Sequence, residues 1–97
     1  MKIKTKSGFK TDLDERIIDD WRFMKAIAKA DNMDKPSDAL AGTVELVSMI
    51  FGENEEALME HSASKNDGFV PQEKIKEEVL DVIEQVRNAK NSSSSEG

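Results

Sequence analysis

Polar and apolar residues alternate at the start of the chain. Lys2, Lys4 and Lys6 stand against Ile3 and Thr5, a turn is marked by Ser7-Gly8, and Phe9 resumes the pattern. A period of two with glycine at a turn predicts a short β-hairpin. Two strands alone are marginally stable, so Ile3 and Phe9 are expected to pack on helices that follow.

From residue 12 the period lengthens. Asp12 with Glu15 three residues on resembles a capping box, which predicts a helix starting near Asp12 or Leu13 and ending near Asp31-Asn32. Leu13, Ile17, Trp21, Met24 and Ala28 recur at spacings of three and four, the spacing of a core-facing stripe. Trp21 is accordingly expected to be largely buried against Val44, Val47 and the last helix. Pro36, with Ser37 or Asp38 as a cap, opens a second helix whose stripe is Leu40, Val44, Val47, Ile50 and Phe51, with Gly52 as its stop. Residues 53–63 predict a shorter third helix anchored by Leu58. After a turn cluster at 64–68, Pro71 leads into a last helix with an apolar seam of Ile75, Val79, Val82 and Val86. The stretch from Lys90 to Gly97 has nothing to bury and is expected to be disordered. The fold class expected is mainly α: a single-domain bundle of three to four helices with an N-terminal hairpin over 1–89, and a Ser-rich disordered tail over 90–97.

Ninety-seven residues allow one modest core, so any function must sit on the surface of one unit. Charged residues make up 35% of the chain, above the usual ~25%, and predict a heavily solvated exterior. The net charge of −6 is uneven: residues 1–48 carry nine basic and nine acidic side chains, residues 49–97 five and eleven. Affinity for phosphates needs clustered Lys and Arg, so nucleic acid is not the expected ligand. The one basic cluster, Lys2, Lys4, Lys6 and Lys10, reads as a solvated strand edge that discourages sheet-to-sheet association. The absence of cysteine excludes disulfides, zinc-thiolate sites and thiol catalysis, which makes the cytoplasm the expected compartment. No stretch approaches the ~20 apolar residues of a bilayer span, and no apolar leader is evident.

Catalytic chemistry finds little to work with. His61 is the sole histidine, so metal pairs of histidine are absent, and nearby Ser62 and Ser64 do not by adjacency supply a triad; a solvated helix residue is expected. Asp19-Asp20, Glu53-Glu55-Glu56 and Glu77-Glu78 read as solvated faces and caps, and Asp31-Asn32-Met33-Asp34 lacks the glycine and distal Glu of a calcium loop. No cofactor or metal is expected. The apolar residues off the stripes carry more information. Ile18, Phe23, Met49 and Leu80 belong either to a wider core or to a recognition surface, and they are the candidate partner-binding residues.

Three stretches, taken in order, resemble the tail assembly chaperones of long-tailed bacteriophages and prophages. They are the run Leu13-Asp14-Glu15-Arg16-Ile17-Ile18-Asp19-Asp20-Trp21-Arg22-Phe23-Met24; the helix ending Phe51-Gly52-Glu53 with Leu58 and His61 after it; and Gly68-Phe69-Val70 before an acidic amphipathic helix and a Ser-rich tail. The resemblance spans nearly the whole chain, although no single piece is specific. It implies a non-catalytic assembly factor that binds the tape-measure protein and tail-tube subunits in the host cytoplasm. It also implies a possible longer, frameshifted form of the same protein, with which the residues Ala89-Lys90-Asn91 are compatible. A different class of function fits the charge alone: a small acidic regulator or inhibitor that covers a basic surface by mimicry.

Overall fold

The structure is a computed structural model that describes the backbone of residues 1–96 and the side chains of residues 1–90. Of the disordered tail expected at 90–97, Lys90 lies within the last helix and pairs with Asp19, and residues 91–97 fall beyond the fully described residues. The fold is mainly α, with a short antiparallel hairpin at its N-terminus. Strands β1 (Lys2–Lys4) and β2 (Lys10–Asp12) pair with Ile3 opposite Thr11 and Lys4 opposite Lys10. Ile3 and Thr11 share the buried face, so the lysines are turned outward. The turn between the strands is closed by the Gly8 N–H donating to the Thr5 carbonyl at 2.9 Å and the Thr5 N–H to the Phe9 carbonyl at 2.8 Å. Gly8 has φ +95°, a conformation that a Cβ would oppose.

The helix expected from Asp12 does not form there. Residues through Asp12 remain in the hairpin, and a 3-10 helix follows over Glu15–Asp19. The chain is then extended at Asp20 (φ −76°, ψ 129°), and α1 starts only at Trp21 and runs to Ala30. The cause is a repeated Asp-x-Arg unit. Asp14 accepts from the Arg16 backbone N–H at 3.0 Å, Asp20 from that of Arg22 at 2.8 Å, and each guanidinium closes onto its own Asp. Each Asp is therefore an N-cap, and a cap requires non-helical backbone.

This break resets the helical phase. In α1 the core-facing positions are Phe23, Ala26, Ile27 and Ala30, a spacing of three, four and seven from Phe23. Trp21 lies off that stripe and is 75% exposed, Met24 48%; the expected burial of Trp21 against Val44 and Val47 is overturned. α2 (Pro36–Phe51) has Pro36 in its first turn and no side-chain cap at Lys35, so Ser37 and Asp38 do not serve as its cap. Its buried positions are Gly42, Leu46, Val47, Ile50 and Phe51, while Leu40 and Val44, expected in the core, are half or more exposed. Gly42 explains the phase. A Cβ there would stand 2.4 Å from the Ala30 backbone N and 2.7 Å from the Ala26 carbonyl, so α1 and α2 touch backbone to backbone where only small residues fit. Gly52, with φ +49°, ends α2 as expected.

α3 (Glu55–Lys65) is anchored by the fully buried Leu58, and α4 (Gln72–Glu96) buries Ile75, Val79, Val82 and Val86 as the seam predicts, together with Ile83. Phe9 of the hairpin meets Phe51 edge to face, with ring centroids 5.9 Å apart, and ties the hairpin to the end of α2.

Candidate protein-binding site

Among the exposed large apolar side chains, Met33, Leu40, Val44 and Leu80 are 87%, 50%, 57% and 65% exposed and lie together, apart from Met1, Trp21, Met24 and Phe69. Met33 sits in the α1–α2 turn, Leu40 and Val44 on α2 and Leu80 on α4. They converge on a trough between α2 and α4. One part, about 540 Å³, is lined by Met33, Ala39, Leu40, Leu80 and Ile83 among others; the second, about 220 Å³, by Val44, Met59, Val70 and Ile75. The two share Leu40, Thr43, Gln72 and Lys76 and so form one continuous depression. Exposed apolar area of this kind is where soluble proteins hold other chains or apolar ligands.

Of the four candidate partner-binding residues, only Leu80 lies in the trough. Phe23 is 2% exposed and belongs to the core, which corrects its place among the surface candidates. Its position on α1 follows from the reset phase, which puts residue 23 where the continuous helix would have put residue 21 or 24. Ile18 and Met49 are half-buried and packed against the core, Met49 at the rim of a separate groove beside Arg22, Lys25 and Lys29. The stripe drawn from Leu40, Val44 and Val47 concealed Leu40 and Val44. The signal that could have exposed them is Gly42, since a glycine inside a helix marks a close contact and thereby the contacting face.

The trough's surroundings are acidic. Asp31 and Glu55 line it, Asp34 and Asp38 lie in the turn and first helical turn that close one end, and Glu77 and Glu84 flank Leu80 at three residues before and four after. Asp31, Asp34, Asp38, Glu55 and Glu84 have no ion-pair partner among the described residues; Glu77 stands 3.6 Å from Lys74. Lys35, Lys74 and Lys76 are the cations in the same region, and Lys76 lies 3.7 Å from Glu73.

A second, polar cluster joins the hairpin to α3 and α4. His61, expected as a solvated residue, is half-buried: its ring tilts against Phe9 at 5.4 Å, and its Nε2 lies 3.1 Å from Ser7 Oγ and 3.2 Å from the Ser7 carbonyl. A carbonyl only accepts, so the network assigns the proton to Nε2. Ser7 Oγ in turn donates to the buried Glu78. A serine whose hydroxyl already donates to a carboxylate, beside a histidine nitrogen that is itself a donor, is not arranged for proton abstraction by that histidine. The cluster acts as a clasp. Asp81, also buried, accepts the Lys6 backbone N–H at 2.7 Å, and Gln85 donates both to Asp81 and to the Lys4 carbonyl at 3.0 Å. The other oxygen of Glu78 and the Ser62 hydroxyl are buried without a hydrogen-bond partner among the described residues.

Among the described residues no group of three His, Cys, Asp or Glu side chains is placed to hold a metal ion, and no helix is long and apolar enough to cross a membrane. No protein-family model, curated protein or solved structure matches the chain.

Proposed function

We infer that this protein is a tail assembly chaperone of a long-tailed phage or prophage, which holds the tape-measure protein, and with it tail-tube subunits, without catalysis. The observation that carries this reading is the trough between α2 and α4, where Met33, Leu40, Val44 and Leu80 remain exposed on a strongly charged molecule. A holding protein needs an apolar surface for the client and a charged exterior to keep the complex dispersed. The order of sequence stretches that resembles this chaperone family supplies the client. The same reading places the protein in the host cytoplasm and allows for a longer frameshifted form of it. The acidic-regulator alternative draws on the net charge of −6. Salt separates the two, because binding by charge mimicry weakens steeply with ionic strength and apolar holding does not.

The test is light scattering by tape-measure segments with and without the protein, in the absence of nucleotide and metal. Suppression that survives high salt, and that is lost when Leu40 and Leu80 are both changed to Asp, is the expected result. Tape-measure and tube proteins that fail to bind at any ionic strength would remove the chaperone reading in favour of the regulator.

A further inference from the structure

The geometry points to an occupant of defined chemistry for the α2–α4 trough: an amphipathic helix whose apolar ridge is flanked by Lys or Arg. This inference rests on the holding function proposed above and narrows what is held. Shape supplies the first half of the argument. The depression is open and continuous past Leu40, Thr43, Gln72 and Lys76, with apolar side chains mostly from α2 and α4 and others from α1, α3 and the α1–α2 turn. A trough between helices accepts a third helix through side chains at successive turns, whereas a single aromatic ligand would require an enclosed pocket.

Charge supplies the second half. The acids around the trough, Asp31, Asp34, Asp38, Glu55, Glu77 and Glu84, outnumber the cations Lys35, Lys74 and Lys76. All but Glu77 lack an ion-pair partner among the described residues. Along the Asp12–Asp20 stretch the acids are instead neutralised within the chain, Asp12, Asp14, Asp19 and Asp20 each by a cation. Carboxylates left unpaired on both banks of an apolar trough repel an acidic helix and attract a basic one, which sets both the choice of partner and its rate of encounter.

Binding of labelled synthetic peptides, read by fluorescence anisotropy with circular dichroism of the peptide, tests this directly. One peptide carries a leucine ridge flanked by lysines, a second the same ridge flanked by glutamates, and a third the lysine peptide scrambled so that no ridge forms. The lysine-flanked peptide should bind about tenfold or more tightly than the glutamate-flanked one at low salt, with the gap closing at high salt. The scrambled peptide should bind far more weakly than either ridge peptide at high salt, because only the ridge survives screening. Leu80→Asp should abolish ridge binding, and its exposure makes folding indifferent to the change. The paired reversal Glu77→Lys with Glu84→Lys keeps the apolar trough and should shift preference toward the glutamate-flanked peptide.

Equal binding of both ridge peptides at low salt would overturn the inference, as would binding of the scrambled one as tight as that of the ridge peptides at high salt. A protein that protects tape-measure segments yet shows no flank preference loses this inference and keeps its function. Selective peptide binding by a protein that leaves the tape measure unprotected supports the trough's chemistry and removes the chaperone reading.

Discussion

Trp21 and Phe23 stand two residues apart on one helix, and their environments are opposite: Phe23 is 2% exposed, Trp21 75%. Truncation should therefore separate them. Phe23→Ala is expected to cost roughly 3–5 kcal/mol through lost burial and the cavity left behind, and Trp21→Ala less than about 0.5 kcal/mol. Chemical unfolding of the two variants measures this, and equal midpoint shifts would show that Trp21 is core after all. Asp20 is the residue that sets them apart, because it caps α1 and fixes where helical phase begins. The guanidinium and backbone N–H of Arg22 hold its carboxyl well below the ordinary aspartate value of 3.8, at about 2, and Arg16 does the same for Asp14. A folded-state pKa below the unfolded one means a contribution that is complete above roughly pH 4 and is lost as pH falls through about 2. Asn is as good a cap as Asp but cannot titrate. Asp20→Asn should thus keep the helical spectrum at neutral pH and flatten the acid limb of a stability–pH curve between roughly 4 and 2. An acid limb identical to the parent's would show that the Asp20–Arg22 pair does not contribute.

At the scale of elements, the hairpin, the end of α2 at Gly52, the Leu58 anchor and the α4 seam were all legible, because each carries a local signal of period, turn residue or cap. The start of α1 was not. Leu13, Ile17, Trp21 and Met24 satisfy helical spacing across a point where Asp20 interrupts the helix, and apolar spacing alone does not register an interruption. The Asp-x-Arg repeat was the available sign. The trough was half legible: Leu80 stood off the α4 seam, whereas Leu40 and Val44 matched an alternative stripe whose rejection depends on α1 lying against Gly42. The clasp was illegible, since Ser7, His61, Glu78 and Asp81 are remote in sequence and buried carboxylates on α4 look like any solvated face. Its importance to the hairpin can be measured. Asp81→Ala leaves the Lys6 N–H without its acceptor and is expected to cost about 1–3 kcal/mol, with amide exchange at Lys6 and along β1 accelerating before that of α2. Asp81→Asn retains an acceptor oxygen and should lose much less. Hairpin exchange unchanged in Asp81→Ala would mean that Ile3 and Phe9 alone dock the hairpin.

For the molecule as a whole, an exposed apolar trough and a net charge of −6 work against each other. The trough favours self-association, and like charge keeps copies apart. The balance shifts at a higher pH than that at which the two Asp–Arg pairs are lost. The isoelectric point is about 4.8, where net repulsion vanishes, while the Asp14–Arg16 and Asp20–Arg22 pairs persist down to about 2. Near pH 4.8, where net charge vanishes and both pairs are intact, the protein should associate while still helical. Light scattering and circular dichroism followed together through an acid titration test this: scattering is expected to peak near pH 4.8 with ellipticity unchanged, and to reverse on return to neutral pH. Leu80→Ser alters the trough without altering charge, so it should lower the peak and leave its position in place. Ellipticity that collapses before scattering rises would attribute the association to unfolding instead. A Leu80→Ser peak as high as the parent's would show that the trough is not the surface through which copies meet.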